Sequence, residues 1–490
     1  MVRQLTGARP RGLHAESGHA RPRESRHYTR RGSAAAPRAF GPALRDSGGS
    51  GTGPFILTTR DDSTAPKRPA QRPASTRALL LVLALAIGAA SLANGLSFWG
   101  KRVGWLEPPP SHDAAGEYIP PAARIDGFYE TRGAWRLGKH LKDVLLVVLA
   151  VLLVCRRSLL RELAALSPPR LAAVGGALLS TLYATVLSIS QFGVLFATLG
   201  ARTAVVVGLA VISAPLARRL DALAPALFLP ALLQVPFVLV EAVRGAPLFH
   251  SFSPVNRVVG TFLLPTTLGT YAVVSAALLW ACRETPAVRC VALATALFLC
   301  ILSGSGTAWV LLLSWLAWLA VSALPPTRKP LATLAGGLAA IALVLALPGL
   351  TGRPMIYDSL WGRLAKASSQ LHPDGDLVAA LFGRGLGVGT NMPTTLLVDE
   401  TFLRARIWTE STYEALYHQF GIVGVALVLA GLALGVFGER RLRVVYVLLA
   451  LCGLTLKMFE AFPLNLLLAV LLARALFGAG PETDRPGASR

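Results

Sequence analysis

Five arginines, Arg353, Arg363, Arg384, Arg404 and Arg406, fall in one stretch, 350–412, between two long apolar runs. Guanidinium groups gathered this way suit a diphosphate, which they grip with bidentate, charge-assisted hydrogen bonds. Arg384 stands out because it sits in FGRGLGVG, where glycines let main chain and side chain approach a ligand closely. The plainer reading of these residues is a surface turn with a few solvated cations. Arg257, in NRVVGTFLLPTTLGTY, lies at the mouth of an apolar run, and Pro265 and Gly269 are expected to interrupt that run in its first turns. A helix broken at membrane depth lines a cavity, because lipid offers its freed main-chain groups no partners. The rival is an interfacial arginine snorkelling to headgroups. Arg202, in LGARTAV, is a third cation of this kind.

The carboxylates concentrate in WTESTYEALYHQFGIVG, where Glu410, Tyr413 and Glu414 are spaced to share one face if the helix starts early. A carboxylate partly desolvated near a membrane interface can take the proton of an attacking hydroxyl as general base. A helix N-terminus favouring an acidic side chain explains Glu410 equally well. His418, a turn further on, is the second candidate base, with a satisfied structural histidine as its rival. Cys155, Cys282, Cys290, Cys300 and Cys452 lie in or beside apolar runs without a CxxC pair, so no metal site is expected.

The elements that must position these groups are apolar. The chain is 53% hydrophobic and 15% charged, far below the roughly 25% charged residues of a soluble domain. Lys and Arg number 48 against 26 Asp and Glu, a formal charge of +22. Nucleic acid is excluded as the partner by where the cations lie: in 1–77 and in short runs between apolar stretches, as the positive-inside rule requires of a membrane protein. Apolar runs long enough to cross a bilayer recur near 78–98, 140–155, 171–190, 194–216, 224–241, 259–281, 288–303, 306–323, 331–349, 413–437, 444–458 and 461–477. They predict an all-α polytopic integral membrane protein of about twelve helices.

With the amino terminus in the cytoplasm, Arg156, Arg157, Arg161, Arg218, Arg219, Arg283, Arg328, Lys329, Arg440, Arg441 and Arg443 all fall in cytoplasmic turns. Loops 99–139 and 350–412 then face outward, the second between the ninth and tenth helices. Residues 1–77, rich in Arg, Pro, Gly, Ser and Ala, are expected to form a disordered basic cytoplasmic tail, unless a mis-assigned start codon accounts for them. A cleaved signal peptide is not expected, since the first apolar run starts near 78 and continues as a full span. The membrane domain is expected over 78–480, with 481–490 as a second cytoplasmic tail.

These constellations, in this order, resemble the O-antigen ligase and O-antigen polymerase family of membrane proteins over roughly 170–460. RVVGTFLLPTTLGTY is similar to that family's arginine, Gly-Thr-Phe and broken-helix stretch, LSGSGTAW to its Ser-Arg-Gly turn, and FGRGLGVG with ESTYEALYHQFGIVG to its loop and following helix. The resemblance implies a metal-free, cofactor-free glycosyltransferase of the bacterial inner membrane with a periplasmic active site. A glycan would pass from undecaprenyl diphosphate to the hydroxyl of an acceptor glycan, with a flippase and a chain-length regulator as further partners. Glu410 and Arg257 are then the catalytic candidates, and Arg384, Arg353, Arg363, Arg202, Tyr413 and His418 the substrate-binding ones.

This chain departs from the ligases at two positions. Glu410 stands where they place a histidine three residues before the tyrosine of the last motif, and Gly306 replaces the arginine of the Ser-Arg-Gly turn. The first departure points toward polymerisation of O-antigen or exopolysaccharide repeats. Joining glycan to lipid A-core is the alternative within the family, and a lipid-linked oligosaccharide flippase or other transporter is the alternative outside it. A transporter would carry charges deep in several helices and related halves, neither of which the sequence has. A transferase using lipid monophosphate sugars would want acidic residues in its first outer loop, where Asp113, Glu117, Asp126 and Glu130 stand, none of them adjacent.

Overall fold

Leucine-, alanine- and valine-rich segments leave their main-chain polar groups no partner but one another, so they form helices. The computed structural model describes residues 74–96, 135–154, 158–248, 257–328, scattered positions between 330 and 349, 376–390 and 409–478. Helix is the regular element throughout, and no strand occurs among the described residues. In chain order the helices are α1 (Ala74–Leu96), α2 (Trp135–Val154), α3 (Ser158–Ala164), α4 (Pro168–Ile212), α5 (Ala214–Ala217), α6 (Leu220–Arg244), α7 (Pro265–Cys282), α8 (Pro286–Ser303), α9 (Gly306–Ser322), α10 (Leu377–Phe382), α11 (Thr412–Gly438), α12 (Arg443–Gly453) and α13 (Leu464–Phe477). Five of them, α4, α6, α7, α8 and α11, are long and apolar enough to cross a membrane. Shorter apolar helices stand at Leu83–Ala93 and at α9, α12 and α13. The chain thus has the make-up of a multi-pass, all-α membrane protein.

Helix starts follow the local chemistry. Pro168, Pro265 and Pro286 occupy first turns, where the missing N–H costs nothing. The apolar run expected to begin at 259 becomes two elements, a 3-10 turn over Gly260–Phe262 and then α7, with Leu263 left-handed at φ 65° between them. Pro265 therefore opens α7 instead of breaking it. Gly269 does not interrupt the helix either; a Cβ there would lie 2.6 Å from Ser303 Oγ and from Ala308 Cβ, so it lets α7 meet the α8–α9 turn. α1 begins four residues, and α2 five, before the apolar runs at 78 and 140. The expected ninth helix lies largely outside the described residues, as do 1–73, 97–134, 351–375, 391–408 and 479–490.

α7 and α13 are buried along nearly their whole lengths and form the centre of the bundle. At one end, Thr307 Oγ1 donates to Thr455 Oγ1 at 3.0 Å, and Thr412 Oγ1 donates to the Leu456 carbonyl at 2.5 Å. These bonds gather the starts of α9 and α11 around the turn between α12 and α13. The opposite end is cationic. There Arg474, 8% exposed, pairs with Glu439 at 2.5 Å and donates Nη1 to the Ala217 carbonyl at 3.1 Å, while Arg218 meets Glu162 at 2.5 Å. Arg441 reaches Asp221 at 3.7 Å with both side chains about half exposed. Breaking a buried pair such as Arg474–Glu439 costs about 3–5 kcal/mol, because the remaining charge is stranded. The Arg441–Asp221 pair is worth at most about 1 kcal/mol.

Candidate functional site

The glycine-rich segment read from the sequence lies between two broken helices. α10 ahead of it is capped by Asp376, whose Oδ1 accepts from Val378 N at 3.0 Å and Ala379 N at 3.1 Å. Non-helical backbone inside an apolar bundle is tolerated where its polar groups find partners, and here most of the segment's amides do. Gly383 N donates to the Ala379 carbonyl at 2.8 Å, Arg384 N to the His418 carbonyl at 2.8 Å and Leu386 N to the Ala184 carbonyl at 3.0 Å. Gly387 N reaches Gln419 Oε1 at 3.4 Å. On the acceptor side, the Leu386 carbonyl takes the Ser188 hydroxyl at 2.5 Å and the Gly389 carbonyl takes the Thr409 hydroxyl at 2.5 Å. The Gly387 carbonyl takes the Thr390 hydroxyl at 2.7 Å. Residues 383–390 are thus bonded to α4 on one side and to α11 and its approach on the other.

Both partner helices break at a glycine. Gly193 (φ 85°, ψ 170°) divides α4 into arms over 168–192 and 194–212. A straight helix would hold residues 188 and 200 about 18 Å apart. Yet Ser188 bonds the Leu386 carbonyl, and a Cβ on Gly200 would lie 2.8 Å from that same carbonyl carbon. The two arms therefore fold back on each other and hold Leu386 between them. α11 breaks at Gly421 (φ 65°, ψ −163°), where a Cβ would press on the Leu381 carbonyl and stand 2.5 Å from Phe382 N. Only glycine supplies both the left-handed φ and the room.

Arg384 lines a cleft of about 740 Å³ between α4 and α10. Tyr183, Leu187 and Gln191 make one wall, four residues apart on one face of α4, and Asp376 and Val378 stand opposite. The cleft is thus lined about equally by polar and apolar groups, with one guanidinium, one carboxylate, one amide and the Tyr183 ring beside Leu187, Phe192 and Val378.

The other sequence-predicted residues divide into separate assemblies. Glu410 does not share a helix face with Tyr413 and Glu414, because Ser411 caps α11 and the helix proper begins at Thr412. Instead, Glu410 is half-buried ahead of the helix, and its amide donates to Glu414 Oε2 at 2.9 Å. Ser411 and Glu414 form a reciprocal capping box, so Glu414, 2% exposed, serves the helix start. Tyr413 donates its hydroxyl to the Ala450 carbonyl at 2.9 Å, tying α11 to α12. His418 is buried with its ring edge-on to Tyr417, and its carbonyl carries Arg384. Arg384, His418 and the approach to Glu410 are therefore one assembly, joined at its far side by the Thr409–Gly389 bond.

Arg257 and Arg202 are carried by other elements. Arg257 is half-buried, just ahead of the 3-10 turn between α6 and α7. Arg202, on the second arm of α4, pairs with Asp143 of α2 at 3.2 Å. Its neighbour is thus a carboxylate, whereas the sequence suggested a phosphate. Arg353, Arg363, Arg404 and Arg406 lie outside the described residues.

Sequence reading missed Ser188, Thr409 and Gln419, which hold the glycine-rich segment, and Tyr183, Leu187 and Gln191, which wall the cleft. The S-x-x-E spacing of Ser411 and Glu414 was a readable signal for the capping box. Nothing local marks the others, since their bonds span up to 198 residues. No protein-family model and no curated protein matches the chain.

Proposed function

We propose that this chain is a polymerase of lipid-linked polysaccharide repeats, working at the outer face of the bacterial inner membrane. One observation supports this reading above the others: Arg384 stands on a glycine-rich segment braced from both sides, at a cleft that sets its guanidinium beside the apolar side chains of Leu187, Phe192 and Val378. A polyprenyl diphosphate is itself a long apolar chain with an anionic head. Such a cleft offers a bidentate guanidinium to the head and apolar side chains to the lipid next to it.

In the reaction, an acceptor sugar hydroxyl attacks the anomeric carbon of the donor glycan. The bond from that carbon to the diphosphate oxygen breaks, and undecaprenyl diphosphate leaves with the electron pair. Glu410 takes the hydroxyl proton as general base, and Arg384 and Arg257 stabilise the charge gathering on the diphosphate. Twelve spans, a cytoplasmic amino terminus and an outward 350–412 loop complete the reading. The gathering of Arg218, Arg441 and Arg474 at the end of the bundle away from Thr412 supports that orientation.

The test is the full chain in lipid nanodiscs, and in parallel in sealed liposomes, given an undecaprenyl-diphosphate-linked oligosaccharide and lipid A-core. A ladder of lipid-linked multimers is the expected product. Transfer only to lipid A-core would make the protein a ligase, and translocation without new glycosidic bonds would make it a carrier.

A further inference from the structure

α6 carries a buried charge that the proposed reaction leaves unused. Glu241 is 1% exposed in a helix apolar enough to cross a membrane, where an ionisable side chain is expensive and usually functional. Its carboxylate accepts from three main-chain donors. Oε1 accepts from Leu248 N at 2.8 Å, and Oε2 accepts from Val259 N and Gly260 N, each at 2.8 Å. Leu248 and Val259 lie at the two ends of the connection from α6 to the 3-10 turn, so one side chain closes that connection like a clasp. Seven residues earlier on the same face of α6, Gln234 Oε1 accepts from Thr261 N at 2.8 Å and Thr261 Oγ1 at 3.1 Å.

We infer that Glu241 is the positioning residue for Arg257, an inference resting on the donor role given to Arg257 above. Arg257 stands two residues before the amide that Glu241 holds, and its Nε is shielded from solvent. A side chain whose main chain is clamped this closely has few positions available, and a guanidinium must be placed to within fractions of an ångström to bind bidentately. A neutral amide is enough to hold a turn, as Gln234 does at Thr261. The carboxylate's three charge-assisted bonds fix both ends of the connection at once.

The experiment uses the full chain in nanodiscs, with undecaprenyl diphosphate as the probe and hydrogen exchange as a separate readout. In Glu241→Gln, the Val259 and Gly260 amides should exchange at least about tenfold faster, while α6 stays protected. Binding of the probe should weaken about tenfold in Glu241→Gln and in Arg257→Ala. The double variant should bind no more than about twofold worse than Arg257→Ala alone, since residues acting as a unit are not additive. Glu241→Asp should recover part of the affinity, and it carries the cycle if Glu241→Gln does not fold. Unchanged exchange at Val259 and Gly260 overturns the clasp. Additive losses in a chain that binds the probe overturn the positioning role alone. A wild-type chain that binds no probe sinks the donor reading, and the positioning role with it.

Discussion

The main-chain amide of Arg384 donates to the carbonyl of His418 across 2.8 Å. The guanidinium is thereby carried on α11 by a bond that survives side-chain changes at either residue.

Arg384→Ala should accordingly fold as the wild type does, with a stability change within about 0.5 kcal/mol, yet lose polymer. Arg384→Lys should rescue poorly, because an ammonium cannot reproduce a bidentate grip. Membrane levels and polymer length on gels from a complemented deletion strain decide this. Full-length polymer from the alanine variant would remove Arg384 from the site.

Gly421→Ala should be far more damaging than a glycine change in open space. A Cβ at Gly421 meets the Leu381 carbonyl at φ 65°, adding about 1–2 kcal/mol of left-handed strain and about 1–3 kcal/mol of overpacking. Gly208, in the second arm of α4, has nothing within 4 Å of a built Cβ, so Gly208→Ala should be neutral or stabilise by about 0.4–1 kcal/mol. Thermal unfolding of the two variants in detergent should rank them widely apart.

Glu410→Gln should cut turnover by roughly 10²–10⁴-fold with donor binding kept, the loss expected of a general base. Glu414→Ala removes the reciprocal half of the capping box and should cost about 0.5–1.5 kcal/mol of stability. Its turnover should stay close to wild type. His418→Gln keeps the carbonyl that holds Arg384, so it should retain most activity. Active Glu410→Gln beside dead His418→Gln, in the nanodisc assay, would hand the base role to His418.

Sidedness can be read with single cysteines in a chain whose five native cysteines are replaced by alanine. Asp374→Cys should react with an impermeant maleimide in cells with a permeabilised outer membrane. Glu284→Cys, in the exposed turn between α7 and α8, should react only after the inner membrane is lysed. The reverse pattern would turn the molecule over and put the proposed site in the cytoplasm.

Much of the helix pattern was legible in the sequence because burial in lipid makes length and apolarity decisive. The division between the runs at 171–190 and 194–216 falls at Gly193, where α4 breaks. Two departures from expectation follow from local rules. Pro265 opens α7 where a break was expected, because proline is at home in a first turn. Glu410 would share a face with Tyr413 and Glu414 only in a helix that starts early, and the Ser411 cap sets the start at Thr412. The cleft was not legible at all. Its walls come from α4 and α10, more than 180 residues apart, and apolar residues such as Leu187 and Val378 carry no mark separating a cleft wall from a lipid-facing surface.

The fold-back of α4 also bears on biosynthesis. Ser188 and Leu386 are 198 residues apart, and at about 5–20 residues per second the hairpin waits about 10–40 s for the segment that fills it. During that interval the inner faces of both arms, Ser188 and Gly200 among them, stand open to lipid or to the insertion machinery. Nascent chains stopped before residue 383 should therefore be recognised as unfinished, and the quality-control proteases of the membrane would meet an unplugged groove where the complete protein presents a closed seam.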